Sequence, residues 1–216
     1  MCGIIAVVRR APTRPVPSPA EVRAQLARAV GVFGADGGDI ADADALTDAV
    51  VGLERANALL LGLPGLQCLR ANSALAPAVA SDIESIIRDL ADLEAVLDRA
   101  PVPHIEQINA LLVRAKDAAW SIDRDRLRTA AAVTDLAGTG PSAAGLAVYL
   151  SLQQAMSALD RLEVRGRDSA GLHVLVFDHG LSLIDAVLAT ELEQRGGDAL
   201  FQSGSVRHGD GWLSFV

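Results

Sequence analysis

Aromatic residues are scarce in this sequence, with Phe, Trp and Tyr together making up 3% of its 216 residues. Side chains that could stack on nucleic-acid bases are therefore few, and the charge points the same way. The formal net charge is -8, spread over short mixed stretches such as Asp123-Arg124-Asp125-Arg126, and no basic stripe is present. A nucleic-acid partner is not expected, because phosphate contact needs a positive footprint and single strands need stacking platforms. Cysteine is equally sparse. Cys2 and Cys68 are too few for a disulfide framework, and neither sits in a CxxC or Cys/His cluster that would imply zinc, so no metal is expected. No apolar run approaches the roughly 20 residues a membrane span requires. The N-terminus lacks the basic leader and long apolar core of a signal peptide, so the expectation is a cytoplasmic protein without a membrane partner.

What is abundant is aliphatic. Half of the residues are hydrophobic, and with so few rings the core must be built from Leu, Val, Ile and Ala, a composition suited to helix packing. The chain opens on Met1-Cys2-Gly3-Ile4-Ile5-Ala6-Val7-Val8, a short continuous apolar run rich in β-branched residues, which predicts a buried strand. Pro12, Pro15, Pro17 and Pro19 follow, so residues 11 to 19 read as an extended linker with few ladder hydrogen bonds.

The period then becomes helical. Ser18 is placed to cap a first helix, with Pro19 in its first turn and Glu21 completing a capping box, and this helix should stop near Gly34. Leu46, Val50, Leu53 and Leu60 mark a second helix that Gly62 and Pro64 close. The strongest amphipathic signal runs from Pro77 to Arg99, where Val79, Ile83, Ile86, Leu90, Leu93 and Leu97 share a face. After Pro101 and Pro103, another helix extends from His104 to about Leu136, with Ile105, Ile108, Leu112, Ala115, Ala119 and Ile122 in one stripe. Gly138, Gly140 and Pro141 end it. Ser142 then caps a last helix through Leu146, Tyr149, Leu152, Met156, Leu159 and Leu162. Helices with single apolar faces predict a bundle.

Beyond Arg165-Gly166 the period switches to two. Leu172, Val174 and Val176 predict a strand, and Asp178-His179-Gly180 turns toward a second strand at Leu181 to Ile184. Residues 185 to 195 look helical up to Gly196-Gly197, and Trp212 to Val216 read as a strand in which the chain stops.

Two places carry chemistry. A cysteine directly after the initiator Met can become the first residue, because aminopeptidases remove Met before a small side chain. Its thiol then lies beside a free α-amino group with a reference pKa of about 7.7 to 8.0, so one residue supplies both nucleophile and proton acceptor. The second place is Arg161-Leu162-Glu163-Val164-Arg165-Gly166-Arg167-Asp168-Ser169-Ala170-Gly171, which closes a helix and opens a strand.

Together, MCGI at the start and RLEVRGRDSAG before a strand resemble the glutaminase domain of class II glutamine amidotransferases, most closely the glutamine–fructose-6-phosphate aminotransferase branch. The resemblance covers residues 1 to 9 and 150 to 184, about a fifth of the chain. It implies an N-terminal nucleophile fold, a four-layer αββα sandwich, and glutamine hydrolysis that supplies ammonia to a sugar-phosphate acceptor held by a further domain. By position, Cys2 matches the family's nucleophile and Arg165 the arginine near it, whose guanidinium can favour the thiolate. No cofactor is implied.

The chain departs from the family twice. More than a hundred residues of helical pattern stand between the two motif pieces, which are close together in the family. An insertion of that size is tolerable if its ends lie together, since loop-closure entropy grows slowly with length. It could serve as a lid, a docking site or a homo-oligomer surface. The family's histidine-threonine-arginine-tryptophan run and asparagine-glycine pair are also absent from these residues. Those segments bind the glutamine carboxylate and build the oxyanion hole, so little activity is expected of this chain alone.

The expected architecture is α+β and mostly helical, an incomplete sandwich interrupted by a helical bundle. Residues 1 to 10 supply the first strand, 18 to 140 the insertion, and 142 to 216 the continuation. The alternative function is a non-catalytic helical interaction module on an amidotransferase-like scaffold. Other residues read as structural. Cys68 is a small buried apolar residue. Asp36, Asp39, Asp42 and Asp44 form a solvated turn without EF-hand spacing. His104, His173, His179 and His208 make no ligand pair, and His208-Gly209-Asp210-Gly211 resembles a hairpin turn.

Overall fold

The structure, a computed structural model, describes residues 4–33, 43–99, 104–162, 171–182, 185–209 and 211–216. Helix α1 spans Pro19–Phe33, α2 Ala43–Leu59, α3 Gly62–Ala71, α4 Leu75–Leu97, α5 Ile105–Trp120, α6 Arg128–Ala137 and α7 Ala143–Leu162. Strand β1 (Val174–Phe177), helices α8 (Ala186–Arg195) and α9 (Ala199–Gln202), and strands β2 (Val206–Gly209) and β3 (Trp212–Phe215) complete the described elements. The fold is therefore mostly helical with one small antiparallel sheet. The chain forms two compact units, Val8–Gln153 and, separately, Met1–Val7 with Gln154–Val216.

The helical unit begins as the capping pattern predicts. The Ser18 hydroxyl accepts from the Glu21 amide at 3.2 Å, while the Glu21 carboxylate accepts from the Ser18 amide at 2.6 Å. These reciprocal bonds satisfy donors that a helix start leaves free. They also pull the Glu21 carboxyl below its usual range, the Ser18 backbone bond contributing most. Val22, Leu26, Ala29 and Phe33 are buried along one face of α1. Leu46, Ala49, Val50, Leu53 and Ala56 do the same for α2, and Val79, Ile83, Ile86 and Leu90 for α4.

Helix α1 packs on α2 and on α4, and α5 packs on the same two, so the four close into a ring in the order α1, α2, α5, α4. Three of the four seams carry an ion pair. Arg23 meets Asp82 between α1 and α4 at 3.1 Å, Arg114 meets Glu54 between α5 and α2 at 2.8 Å, and Lys116 meets Glu94 between α5 and α4 at 2.9 Å. The remaining seam, α1 against α2, is set by close approach. A Cβ built on Gly52 would stand 2.8 Å from the Gln25 carbonyl oxygen, nearer than backbone atoms tolerate.

Sequence and structure differ at three places in this unit. Gly62 and Pro64 do end α2, but the same residues open α3, which the spacing does not predict. Gly62 turns the chain at a φ of 68°, the bend from α2 to α3 is 91°, and Pro64 sits in the first turn, where its missing N–H costs nothing. A ten-residue helix with two glycines has poor propensity and forms because Leu63, Leu66, Cys68 and Leu69 are buried, with α4 and α6 as packing neighbours.

The second difference lies in the long helix after His104. It continues past Trp120 through a π-helical segment, Ser121–Leu127, into α6. Ile108, Leu112, Ala115, Ala119 and Ile122 are buried as the stripe predicts. Wider π turns then rotate the buried face, and Ala130 and Val133 belong to α6, which packs on α3. Third, α7 buries Leu146 and Leu150, whereas Met156 of the expected stripe is exposed.

In the smaller unit the strand order is β1-β3-β2, with both pairings antiparallel. The β2–β3 hairpin turns at residues 210–211, where Gly211 has a φ of 73°, in line with the Asp-Gly signal; Asp210 itself lies outside the described residues. Gly209 faces Trp212 across this hairpin, and its missing side chain leaves room for the indole. The strand predicted at β1 is present.

Two predicted strands are not found among the described residues. Residues 4–10 have no ladder partner, and Ile4 is 95% exposed rather than buried. A strand exists only beside a paired neighbour, and β1, β2 and β3 pair with one another alone. Leu181 and Ser182 also form no strand, and Leu183 and Ile184 lie outside the described residues. The partner of β1 is β3, and the Asp178 amide extends that ladder to the Gly211 carbonyl at 3.0 Å. Asp185 then caps α8 through the amides of Val187 and Leu188. The turn around residues 34 to 42 and Pro101 to Pro103 lie outside the described residues.

No single described helix is long and apolar enough to cross a membrane; α2 and α3 together pass on length and composition, yet their apolar residues form part of the core.

Two outcomes follow from the seams. Gly52→Ala should destabilise the helical unit by about 1–3 kcal/mol by forcing α1 away from α2, measured by chemical denaturation with an unchanged slope. The hydrogen bond from Arg114 holds the Glu54 carboxyl below its usual range of about 4.3. Its contribution is therefore present above the unfolded-state value and is lost as pH falls through the folded one. Both partners are half-exposed, so Glu54→Gln should cost only about 0.2–1 kcal/mol at pH 7, and that difference from wild type should vanish in acid.

Candidate functional site

Cys2 and Arg165, the two residues on which glutaminase chemistry would depend, lie outside the described residues, together with Gly3 and residues 163–170 of the second motif. The described residues on either side of each piece, 4–7 and 171–177, belong to the same compact unit. Helix α7 leads into the second motif and β1 follows it.

The chain immediately after the first piece is held in place at several points. The Arg9 Nε donates to the Ser151 hydroxyl at 2.7 Å, a link between residues 142 apart in sequence. Ser151 is oriented for this, because its own hydroxyl proton goes to the Ala147 carbonyl at 2.9 Å in the preceding turn of α7, leaving its oxygen free to accept. Burial pushes the Arg9 guanidinium below its ordinary value. Farther along, Arg14 donates to the carbonyls of Ala58 and Leu61, the first at 2.7 Å. The Ala58 carbonyl lies in the last turn of α2, where a cation suits the negative end of the helix dipole, and the Leu61 carbonyl lies in the turn between α2 and α3. Pro17 is buried. Residues 8–18 thus form a strap without helix or strand, fixed by two arginines whose role the sequence pattern did not reveal.

A third arginine acts in the same region. Arg126, in the π-helical segment, donates from Nε to the Asn57 side chain of α2 at 3.0 Å, and burial lowers its pKa. Arg70 of α3 donates to the Gly138 carbonyl at 3.2 Å, past the end of α6. Each of these guanidinium groups satisfies a helix-end carbonyl or an amide oxygen, which is a structural task.

Cys68 is fully buried on α3, and its thiol is pushed up by burial first and by the charge of Glu21 second. A thiol kept protonated and away from solvent is a poor nucleophile. In the smaller unit, Ser214 is the one buried polar side chain among the described residues, and His173 Nε2 lies 2.8 Å from its hydroxyl across the β1–β3 edge. The pair resembles a nucleophile and base in separation only. Ser214 is 4% exposed and no carboxylate orients the imidazole among the described residues, so the bond serves to satisfy a buried hydroxyl. Asp36, Asp39 and Asp42 lie outside the described residues, Asp44 stands in the first turn of α2, and no group of three His, Cys, Asp or Glu suited to a metal occurs among the described residues.

The chain matches no protein-family model, no curated protein and no solved structure.

Because Cys68 is sealed in the helical core, an alkylating reagent should modify it only as that unit opens. Its labelling across a denaturant series should track the unfolding curve; fast labelling in native buffer would contradict the burial described.

Proposed function

We propose that this chain carries the leading part of a class II glutamine amidotransferase, an N-terminal nucleophile domain of the αββα type that a helical unit interrupts. The observation that carries this reading is the division of the chain. Residues 4–7 and 171–177, which adjoin the MCGI and RLEVRGRDSAG pieces, belong to one compact unit although the helical unit of Val8–Gln153 separates them in sequence. An arrangement of that kind allows the two pieces to act together despite the span between them.

In this reading Met1 is removed, and the α-amine of Cys2 takes the thiol proton as sulfur attacks the glutamine carboxamide carbon. The C–N bond breaks, the leaving nitrogen takes that proton and departs as ammonia, and glutamate remains as a thioester on Cys2. Water hydrolyses the thioester and restores the thiol. Arg165 favours the thiolate as a neighbouring cation. Ammonia passes to an acceptor, proposed to be a sugar phosphate bound by a further domain. These 216 residues contain no histidine-threonine-arginine-tryptophan run and no asparagine-glycine pair, so the donors that stabilise the tetrahedral oxyanion, worth several kcal/mol, have no counterpart here and turnover by this chain alone should be slight.

A second reading, a non-catalytic helical interaction module, is favoured by the distribution of the core. Every buried hydrophobic residue among those described falls between Val22 and Leu150, inside the helical unit.

Intact-mass analysis separates the two. After treatment with a glutamine-analogue electrophile, the amidotransferase reading expects loss of Met1 and one adduct, absent from Cys2→Ala. A retained Met1, or labelling that survives Cys2→Ala, would overturn it in favour of the helical module.

A further inference from the structure

We infer that the Arg9–Ser151 hydrogen bond is the clasp of an inserted domain, closing the helical unit where the chain enters and leaves it. The helical unit runs from Val8 to Gln153. Arg9 stands one residue inside its start and Ser151 two residues inside its end, and the two are joined at 2.7 Å. The chain therefore enters and leaves this unit within the reach of a single arginine side chain.

That closeness is what an insertion requires. A folded body whose ends lie far apart would pull the two parts of its host away from each other, whereas ends that meet leave the host continuous, at an entropy cost that grows slowly with the inserted length. The geometry is built from both sides. Ser151 spends its proton on Ala147, so its oxygen can only accept from Arg9, and the bond is charge-assisted. The strap cannot slide, because Arg14 grips the Ala58 and Leu61 carbonyls and Pro17 is buried before Ser18 caps α1. Arg9 is a positioning residue in this scheme, fixing the point where the chain enters the helical unit against the point where it leaves. The inference rests on the amidotransferase reading only for the purpose it gives that closure.

Limited trypsin digestion of the full chain tests the clasp without any thiol chemistry. Arg9 and the exposed Arg10 offer cleavage points directly at it. Ser151→Ala keeps both arginines and places a good helix former on α7. It should speed cleavage after Arg9 or Arg10 by roughly tenfold, the loss expected when a hydrogen bond to a charged group is removed, and leave the melting of the helical unit unchanged. Ser151→Thr keeps the hydroxyl and should restore the wild-type rate. Cleavage of Ser151→Ala at the wild-type rate, or equal acceleration in both variants, overturns the clasp. A clasp confirmed by trypsin with no electrophile adduct at Cys2 would retain the inserted domain and remove the glutaminase reading; the opposite pair of results would do the reverse.

Discussion

A core almost without rings must be thin. Among the described residues of the helical unit Phe33 is the only aromatic side chain that is buried, and the rest of that core is Leu, Ile, Val and Ala with Cys68. Helices filled by such side chains leave no voids only when their axes come close, since a void forfeits dispersion contacts on all its walls. The other features of the unit follow from that constraint. Ala29, Ala49, Ala56, Ala115 and Ala119 occupy buried positions where larger residues would separate the helices, and Gly52 brings α2 against the backbone of α1 at the tightest seam. The ion pairs at the other seams lie at the rim, half-exposed, where they select which helices meet more than they stabilise the meeting.

Close packing also explains the irregular segment between α5 and α6. Helix α5 must present its stripe to α2 and α4, while α6 must present Ala130 and Val133 where α3 packs. A continuous α-helix holds one face throughout its length. The π-helical turns at Ser121–Leu127 change the phase in the middle of the helix, and Arg126 and Asn57 tie that wider stretch back to α2. The irregularity is thus a joint between two packing surfaces.

The smaller unit is organised differently. Among the described residues its sheet has two open edges, β1 and β2, and its apolar side chains stay largely at the surface, with Phe177 at 65% exposure and Val187 at 70%. Asp185 and Asp198 cap its helices and Ser214 is satisfied by His173, so its order comes from local hydrogen bonds more than from burial. The helical unit, by contrast, holds the continuous core. The link between Arg9 and Ser151 gives that larger body a closed outline, with the chain entering and leaving it together.

Much of the local structure was legible in the chain itself. The capping box at Ser18 and Glu21, the stripe of α4 and the hairpin at residues 210–211 are local, and each needs only neighbours three or four residues away or a turn of fixed chemistry. The candidate chemistry, Cys2 with the RLEVRGRDSAG segment, rests on residue types in a pattern alone, for Cys2 and residues 163–170 lie outside the described residues. What the pattern misread were strands: residues 4–8 and 181–182 have β-forming sequence but no ladder. A helix closes its hydrogen bonds within itself, so a short stretch of sequence can specify it. A strand needs a partner chosen by the whole fold, and β1 chose β3 across the intervening residues 178–211. The same reason hid α3, the phase change at Ser121–Leu127 and the meeting of Arg9 with Ser151, for each is decided by which distant surfaces come together. Sequence alone determined the helices, their caps and the aliphatic nature of the core; only tertiary structure decided which faces meet and where the inserted unit closes, because those contacts join residues that local chemistry never compares.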